Sequence, residues 1–355
     1  MSRGPQRSNQ LEIRDHQEWL GYLQPNGLVV SPQVLFDQQV IIDRAALAEL
    51  QRSFVAALAI APSDEAAPRF GPFLLPQMDG TPDGFAIRFL GWHPELIDWN
   101  TLERQTLHES ATASIPELGA TLSPTAALRY PKPVDAARPY QLLVEEVEPD
   151  ADFDLRYNAT HLWETTRSAK FERMLTETGV ALGVLSNGKQ IRLFYAPRGE
   201  TAGHLTFDVT HMTGTAGRMI VGGLYELLKS YRLTNAPTKA LLPSLCETSR
   251  KYQSTVSAAL AEQVLEALYE LVRGFQSAHD ATHGELLKQH LAGDDDAKQD
   301  VYRGLLRTLM RMVFLLFAED RDLLPSGDLY YRNYSLHGLF ERLREDDGRH
   351  HDTMD

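Results

Sequence analysis

The sequence predicts an α/β domain followed by an all-helical one, on three observations. Between residues 140 and 209 the apolar runs succeed one another as strand, helix, strand, hairpin and strand, the order of a sheet layered against a helix. Beyond Pro237 apolar residues recur at three- and four-residue steps over long stretches, which is the period of a helix. The composition, 43% hydrophobic and 23% charged over 355 residues, is that of a globular chain long enough for two cores.

Taken in order, residues 1–10 are polar with two arginines and lack the apolar centre of a signal peptide, so the expected compartment is the cytoplasm. Residues 19–42 alternate around Pro25-Asn26-Gly27 and predict short strands and a turn. Asp43 is placed to start a helix whose apolar face is Leu47, Leu50, Phe54, Val55 and Leu58. Residues 61–139 are rich in Pro and Gly and predict strands, residues 85–90 among them, between long loops.

The pattern sharpens from Tyr140. Residues 140–148 alternate as a strand, and Thr165 or Ser168 opens a helix carrying Phe171, Met174 and Leu175 to a stop at Gly179. Residues 180–185 form a buried-type strand. Asn187-Gly188 supplies the positive φ angles of a two-residue hairpin turn, and residues 190–196 return. Residues 204–209 make a further strand and 216–231 a helix.

In the helical part, residues 241–277 carry Leu260, Val264, Leu265, Leu268, Leu271, Val272 and Phe275 at helical steps. Gly293-Asp294-Asp295-Asp296 reads as a loop tip before a helix over 298–319, stopped by Pro325, with another helix over 337–344. Residues 305–318 are the most apolar run, but they contain Arg307 and Arg311. They also fall short of the ~20 residues that span a bilayer, so a buried helix is expected. The expected domains are 1–236 and 237–355.

Composition also narrows the chemistry. The one cysteine, Cys246, excludes a disulfide framework and a cysteine-rich zinc site, and reads as a buried thiol. With 35 Lys+Arg against 48 Asp+Glu the net charge is −13, so any contact with DNA needs local basic patches. No Ser-His-Asp pattern, phosphate loop or dinucleotide glycine signature occurs, and Gly222-Gly223 falls inside a helical pattern. His350-His351 is an exposed-type pair in a polar tail.

Two constellations remain. A metal-dependent nuclease needs two or three carboxylates on Mg²⁺ and a lysine beside the attacking water. The strand over 140–148 offers Glu146 and Glu148 on one face and Glu145 on the other, with Asp83 as a preceding acid. A glutamate, Glu148, stands where the lysine is needed, and glutamates there also fit a strand end running into solvent. The second set is basic: Arg167, Lys170 and Arg173 at three-residue steps, with Lys189 and Arg192 at the hairpin, could touch phosphates. Glu164, Glu172 and Glu177 interleave them, which favours a mixed solvated surface. Arg303, Arg307 and Arg311 form a further stripe on the apolar helix and read as structural.

Several stretches carry a family resemblance in collinear order. They include Phe171-Glu172-Arg173-Met174-Leu175, Leu185-Ser186-Asn187-Gly188, Arg192-Leu193-Phe194-Tyr195-Ala196-Pro197 and His204-Leu205-Thr206-Phe207. Further along come Ser249-Arg250-Lys251-Tyr252-Gln253, residues 260–268, and Phe314-Leu315-Leu316-Phe317-Ala318-Glu319-Asp320-Arg321. From about Trp19 to Asp355 the chain resembles the N-terminal half of the long adenine-specific DNA methylases of class 1 DISARM systems, related to type IIG restriction–modification enzymes and BREX methylases. The resemblance implies a restriction-endonuclease-like α/β front, a mixed sheet with flanking helices, and then a helical connector. It also implies that the chain stops before a methyltransferase domain that uses S-adenosylmethionine to methylate adenine N6. The family's Asn-Pro-Pro-Tyr loop and glycine-rich cofactor loop do not occur here, so no catalytic or cofactor-binding residue carries over. The implied partners are DNA, the missing methyltransferase domain and other subunits of the defence system. The alternatives are an Mg²⁺-dependent endonuclease using Asp83, Glu146 and Glu148, or a protein-interaction module of a split methylase.

Overall fold

The computed structural model describes residues 5–23, 25–58, 68–76, 82–102, 104–133, 135–285, 288, 295–320, 323–325 and 327–345. Two compact units divide the chain, Met1–Gln253 and Ser254–Asp355. The expected boundary at Ala236-Pro237 falls inside the first unit. Leu242, Leu245 and Cys246, beyond that boundary, are fully buried in the first unit's core.

The first unit opens with helices α1 (Pro5–Leu23), α2 (Pro32–Asp37), α3 (Leu47–Ala57) and α4 (Phe85–Arg88). Short strands β1 (Ile97–Trp99), β2 (Ala113–Ile115), β3 (Ala120–Leu122) and β4 (Ala126–Arg129) follow, then β5 (Tyr140–Glu146). Strands β6 (Arg156–Thr160) and β7 (Trp163–Thr166) lead into α5 (Arg167–Thr178), β8 (Leu182–Ser186), β9 (Gln190–Tyr195) and β10 (Gly203–Asp208). Helices α6 (Val209–Met212), α7 (Arg218–Leu228) and α8 (Ser230–Thr234) precede the long α9 (Leu242–Ala281), which continues into the second unit. The second unit adds α10 (Asp295–Asp320), α11 (Asp328–Asn333) and α12 (Leu336–Glu345).

Six strands make one mixed sheet in the order β1-β4-β5-β8-β9-β10. All neighbours are antiparallel except β5 and β8, which run parallel because α5 crosses between them. Side chains alternate across the sheet. Leu142, Val144, Val184 and Leu193 meet the core that contains Trp19, Phe54 and Leu224. Leu143, Leu185 and Phe194 meet Phe171, Met174 and Leu175 of α5 on the other face.

The N-terminal expectation is corrected. Residues 19–42 hold helices where strands were expected, and the only pairing there, among the described residues, is the Asn26 bridge to His204. His16, Trp19, Leu20 and Leu23 stand at i, i+3, i+4 and i+7, a helical face that a short alternating window conceals. The same applies to α4. Phe85 and Phe89, four apart, enter one aromatic cluster with Phe54 and Phe70, with ring centroids of contacting pairs 5.0–6.0 Å apart. Asp43 shapes the turn before α3, accepting a hydrogen bond from Ala45 N–H, while Val55 lies on the exposed side.

Other expectations hold with small shifts. Thr166, between the two expected starts, caps α5 by accepting from Ala169 N–H, and Gly179 ends it at φ 74°. The hairpin forms between β8 and β9, but its two loop residues are Gly188 and Lys189. Gly188 has φ 76°, while Asn187 folds its carboxamide oxygen onto Lys189 N–H and Gln190 N–H. Gly222-Gly223 in α7 has a packing reason. A Cβ on Gly223 would stand 2.5 Å from the Trp19 ring, and one on Gly222 2.8 Å from Leu47. Among the described residues no helix is long and apolar enough to cross a membrane.

Candidate acidic site at the ends of two parallel strands

In an open α/β sheet the carboxyl ends of parallel strands are where side chains gather unhindered by crossing connections. Here those ends belong to β5 and β8, where Glu145 lies beside Leu185 and Glu146 beside Ser186. The strand's period of two decides what each glutamate can do. Glu145 follows Leu143 to the α5 face, and its carboxylate lies 3.8 Å from Lys170 Nζ. Glu146 follows Leu142 and Val144 to the opposite face and accepts a 2.6 Å hydrogen bond from Leu74 N–H.

Both carboxyls are withdrawn from water. Burial raises the Glu145 pKa to about 7, against the pull of Lys170 and Arg167. Burial likewise raises Glu146 to about 7, opposed by the Leu74 and Phe73 backbone N–H groups. Two neighbouring carboxyls poised near neutrality are the kind of perturbation that marks functional sites.

The nuclease trio is not gathered in one place. The strand ends at Glu146, two residues short of the expected end, and Glu148 turns outward to pair with Arg167 at 2.7 Å. Asp83 is brought near Glu146 only through backbone, since Asp83 pairs with Leu75 while Glu146 holds Leu74. The Asp83 carboxylate lies 3.6 Å from Arg88. Among the described residues no group of three His, Cys, Asp or Glu side chains is arranged to hold a metal ion. These donors do not fit Mg²⁺: Glu145 and Glu146 point to opposite faces, and Asp83 and Glu148 each face an arginine.

The basic set is likewise engaged. Arg167 pairs with Glu148 and stacks over Tyr157 at 4.5 Å. Lys170 faces Glu145, and Arg173 bridges to Glu177 at 2.8 Å. Arg192 is not a surface residue. It shares a face with Phe194 and binds the Asp154 carboxylate through two nitrogens at 2.8 and 2.9 Å, with Ser168 and Thr206 completing its contacts. Lys189, at the hairpin turn, is exposed and makes no ion pair among the described residues. A cleft of about 10 Å³ lies among Glu145, Tyr157, Arg167 and Lys170. That is room for about one water molecule, not for a nucleotide.

The sequence singled out neither Glu145 with Lys170 nor Asp154 with Arg192. The available signal was that α5, the helix of the crossover from β5 to β8, covers the Leu143–Glu145 face, so its basic residues meet that glutamate. Cys246 is fully enclosed and burial pushes its thiol up, in line with an inert core residue. Arg303 pairs with Asp300 on its own helix, and His350-His351 lies outside the described residues.

The second unit has a cavity of about 500 Å³ beside Glu319, Tyr330 and His337. Glu319 is committed to structure there, accepting from Tyr330 Oη, Ser335 Oγ and the Leu336 and His337 N–H groups at 2.9–3.1 Å, which starts α12. No protein-family model, curated protein or solved structure matches the chain.

Proposed function

We propose that this chain is the non-catalytic front of a phage-defence DNA adenine-N6 methyltransferase. In this reading a restriction-endonuclease-like α/β scaffold is joined to a helical connector that positions DNA or docks partner subunits. The observation that carries the reading is the end of β5. The sheet brings an antiparallel pair, β4 and β5, through helix α5 to a parallel β8, and β5 ends on two adjacent glutamates. Yet Val147 and Glu148 stand in the positions open to a lysine, and Glu145 and Glu146 face opposite ways. The cleft beside Glu145 has room for about one water. A fold retained without its chemistry suits a scaffold.

S-adenosylmethionine and the adenine-holding loop belong to the parent enzyme, and this chain is expected to bind no cofactor by calorimetry. The deciding experiment supplies the chain to a DISARM-class methyltransferase polypeptide lacking its own front. Adenine methylation should rise and the two polypeptides should co-sediment. No gain and no association would overturn the proposal.

A second reading is an endonuclease, favoured by Lys170 Nζ standing 3.8 Å from Glu145 and supplying from α5 the amine that β5 lacks. Cutting of plasmid DNA with Mg²⁺ or Mn²⁺, abolished separately by Glu145→Ala and by Lys170→Met, would establish it. We expect intact plasmid.

A further inference from the structure

Helix α10 closes with Leu323 N–H on the Ala318 carbonyl, and Pro325 keeps it from continuing. The chain then returns through α11 and the start of α12, and residues of all three segments line the cavity of about 500 Å³. That volume falls within the roughly 300–1,000 Å³ of small-molecule pockets.

Glu319 ties these segments together. One of its oxygens accepts from Tyr330 Oη and Leu336 N–H, the other from Ser335 Oγ and His337 N–H. A carboxylate has about four acceptor positions, so none is left vacant. Burial works against ionisation, but these donors hold the Glu319 carboxyl below the usual carboxylate range. All four donors are neutral, so the negative charge is steadied without being paired.

The rest of the lining adds to that charge or is apolar. Asp320 also lines the cavity and makes no ion pair among the described residues. No lysine or arginine lines it among those residues. Leu316, Leu324 and Pro325 give apolar surface, and Tyr330 and Tyr331 give aromatic rings, Tyr331 being 44% exposed.

Acidic and aromatic walls select a cation, and the filled oxygens of Glu319 select which kind. A primary ammonium or a guanidinium needs acceptors for its N–H groups when it leaves water, and Glu319 offers none. An ammonium without N–H groups needs no such acceptor. Its methyl groups suit the leucine and proline surface, and its charge is attracted by the tyrosine ring quadrupoles. We propose that this cavity binds a small quaternary ammonium ion, held by the charges of Glu319 and Asp320 and by the rings of Tyr330 and Tyr331. The β5 acids take no part, so this site and the proposed function stand or fall separately.

Calorimetric titration of the full chain with choline and with benzyltrimethylammonium tests this. Both should bind saturably, and 3,3-dimethylbutan-1-ol, the neutral isostere of choline, should bind at least about tenfold more weakly. Tyr331→Leu removes a ring but keeps an apolar side chain, and Asp320→Asn removes one charge. Each should weaken both cations about three- to tenfold and leave the alcohol unchanged, which a merely structural role would not do. Neither substitution removes a partner of Glu319, and circular dichroism checks that the helices persist. No saturable binding of either cation up to about 10 mM overturns the proposal. So does equal affinity for the alcohol, or cation binding indifferent to both substitutions. Retention of the chain by phosphatidylcholine vesicles without uptake of free choline also overturns it, since a membrane surface is then what is recognised.

Discussion

Replacing Glu146 by glutamine should stabilise the first unit, and more so at alkaline pH. The Glu146 carboxyl has its pKa raised by burial from 4.5 to about 7, with the Leu74 and Phe73 N–H groups only partly offsetting that burial. A carboxyl raised in the folded state binds its proton more tightly there than in the unfolded chain. The penalty is therefore absent well below pH 4.5, grows as pH rises between the two values, and is complete above pH 7. At full development it is about 3 kcal/mol, of which roughly 2 kcal/mol appears between pH 5.5 and 8. Glutamine keeps an oxygen to accept from Leu74 N–H and never ionises. The advantage of Glu146→Gln over the unaltered chain should thus grow by roughly 2 kcal/mol between those pH values. Urea unfolding followed by tryptophan fluorescence measures this in the right place, because Trp19, Trp92, Trp99 and Trp163 all lie in the first unit. With a urea dependence of about 2–3 kcal/mol per molar, the difference in midpoint should widen by about 0.7–1 M. An advantage equal at both pH values would refute the reasoning, and with it the view that β5 ends in a proton-holding rather than a solvated carboxyl.

Two further substitutions address packing and anchoring. Gly223→Ala places a methyl 2.5 Å from the Trp19 ring and should cost about 1–3 kcal/mol, read by thermal or urea unfolding; a neutral result would mean that α1 and α7 are not in contact there. Arg192→Met removes a buried guanidinium from Asp154, whose carboxylate is itself 65% exposed and resolvates, so the loss should be about 2 kcal/mol. Any DNA affinity of the folded variant should stay unchanged, and weaker DNA binding with no loss of stability would return Arg192 to the phosphate-binding set.

The sequence by itself determined the elements whose signals are local. The start of α5 to within two residues and its stop at Gly179, the turn at Gly188 and the long period of α9 and α10 depend only on near neighbours along the chain. It also excluded disulfides and a cysteine-rich metal site. Where two periods fit the same short run, it chose wrongly: residues 19–23 became the end of a helix because Trp19 and Leu20 had α7 and the sheet to pack against. Only the tertiary structure decided which charged groups meet. Lys170 reaches Glu145 from the helix packed over β5, and Arg192 reaches Asp154 across 38 residues. Such pairs are fixed by how a helix lies on a sheet and which face each strand residue takes, and no spacing along the chain encodes that.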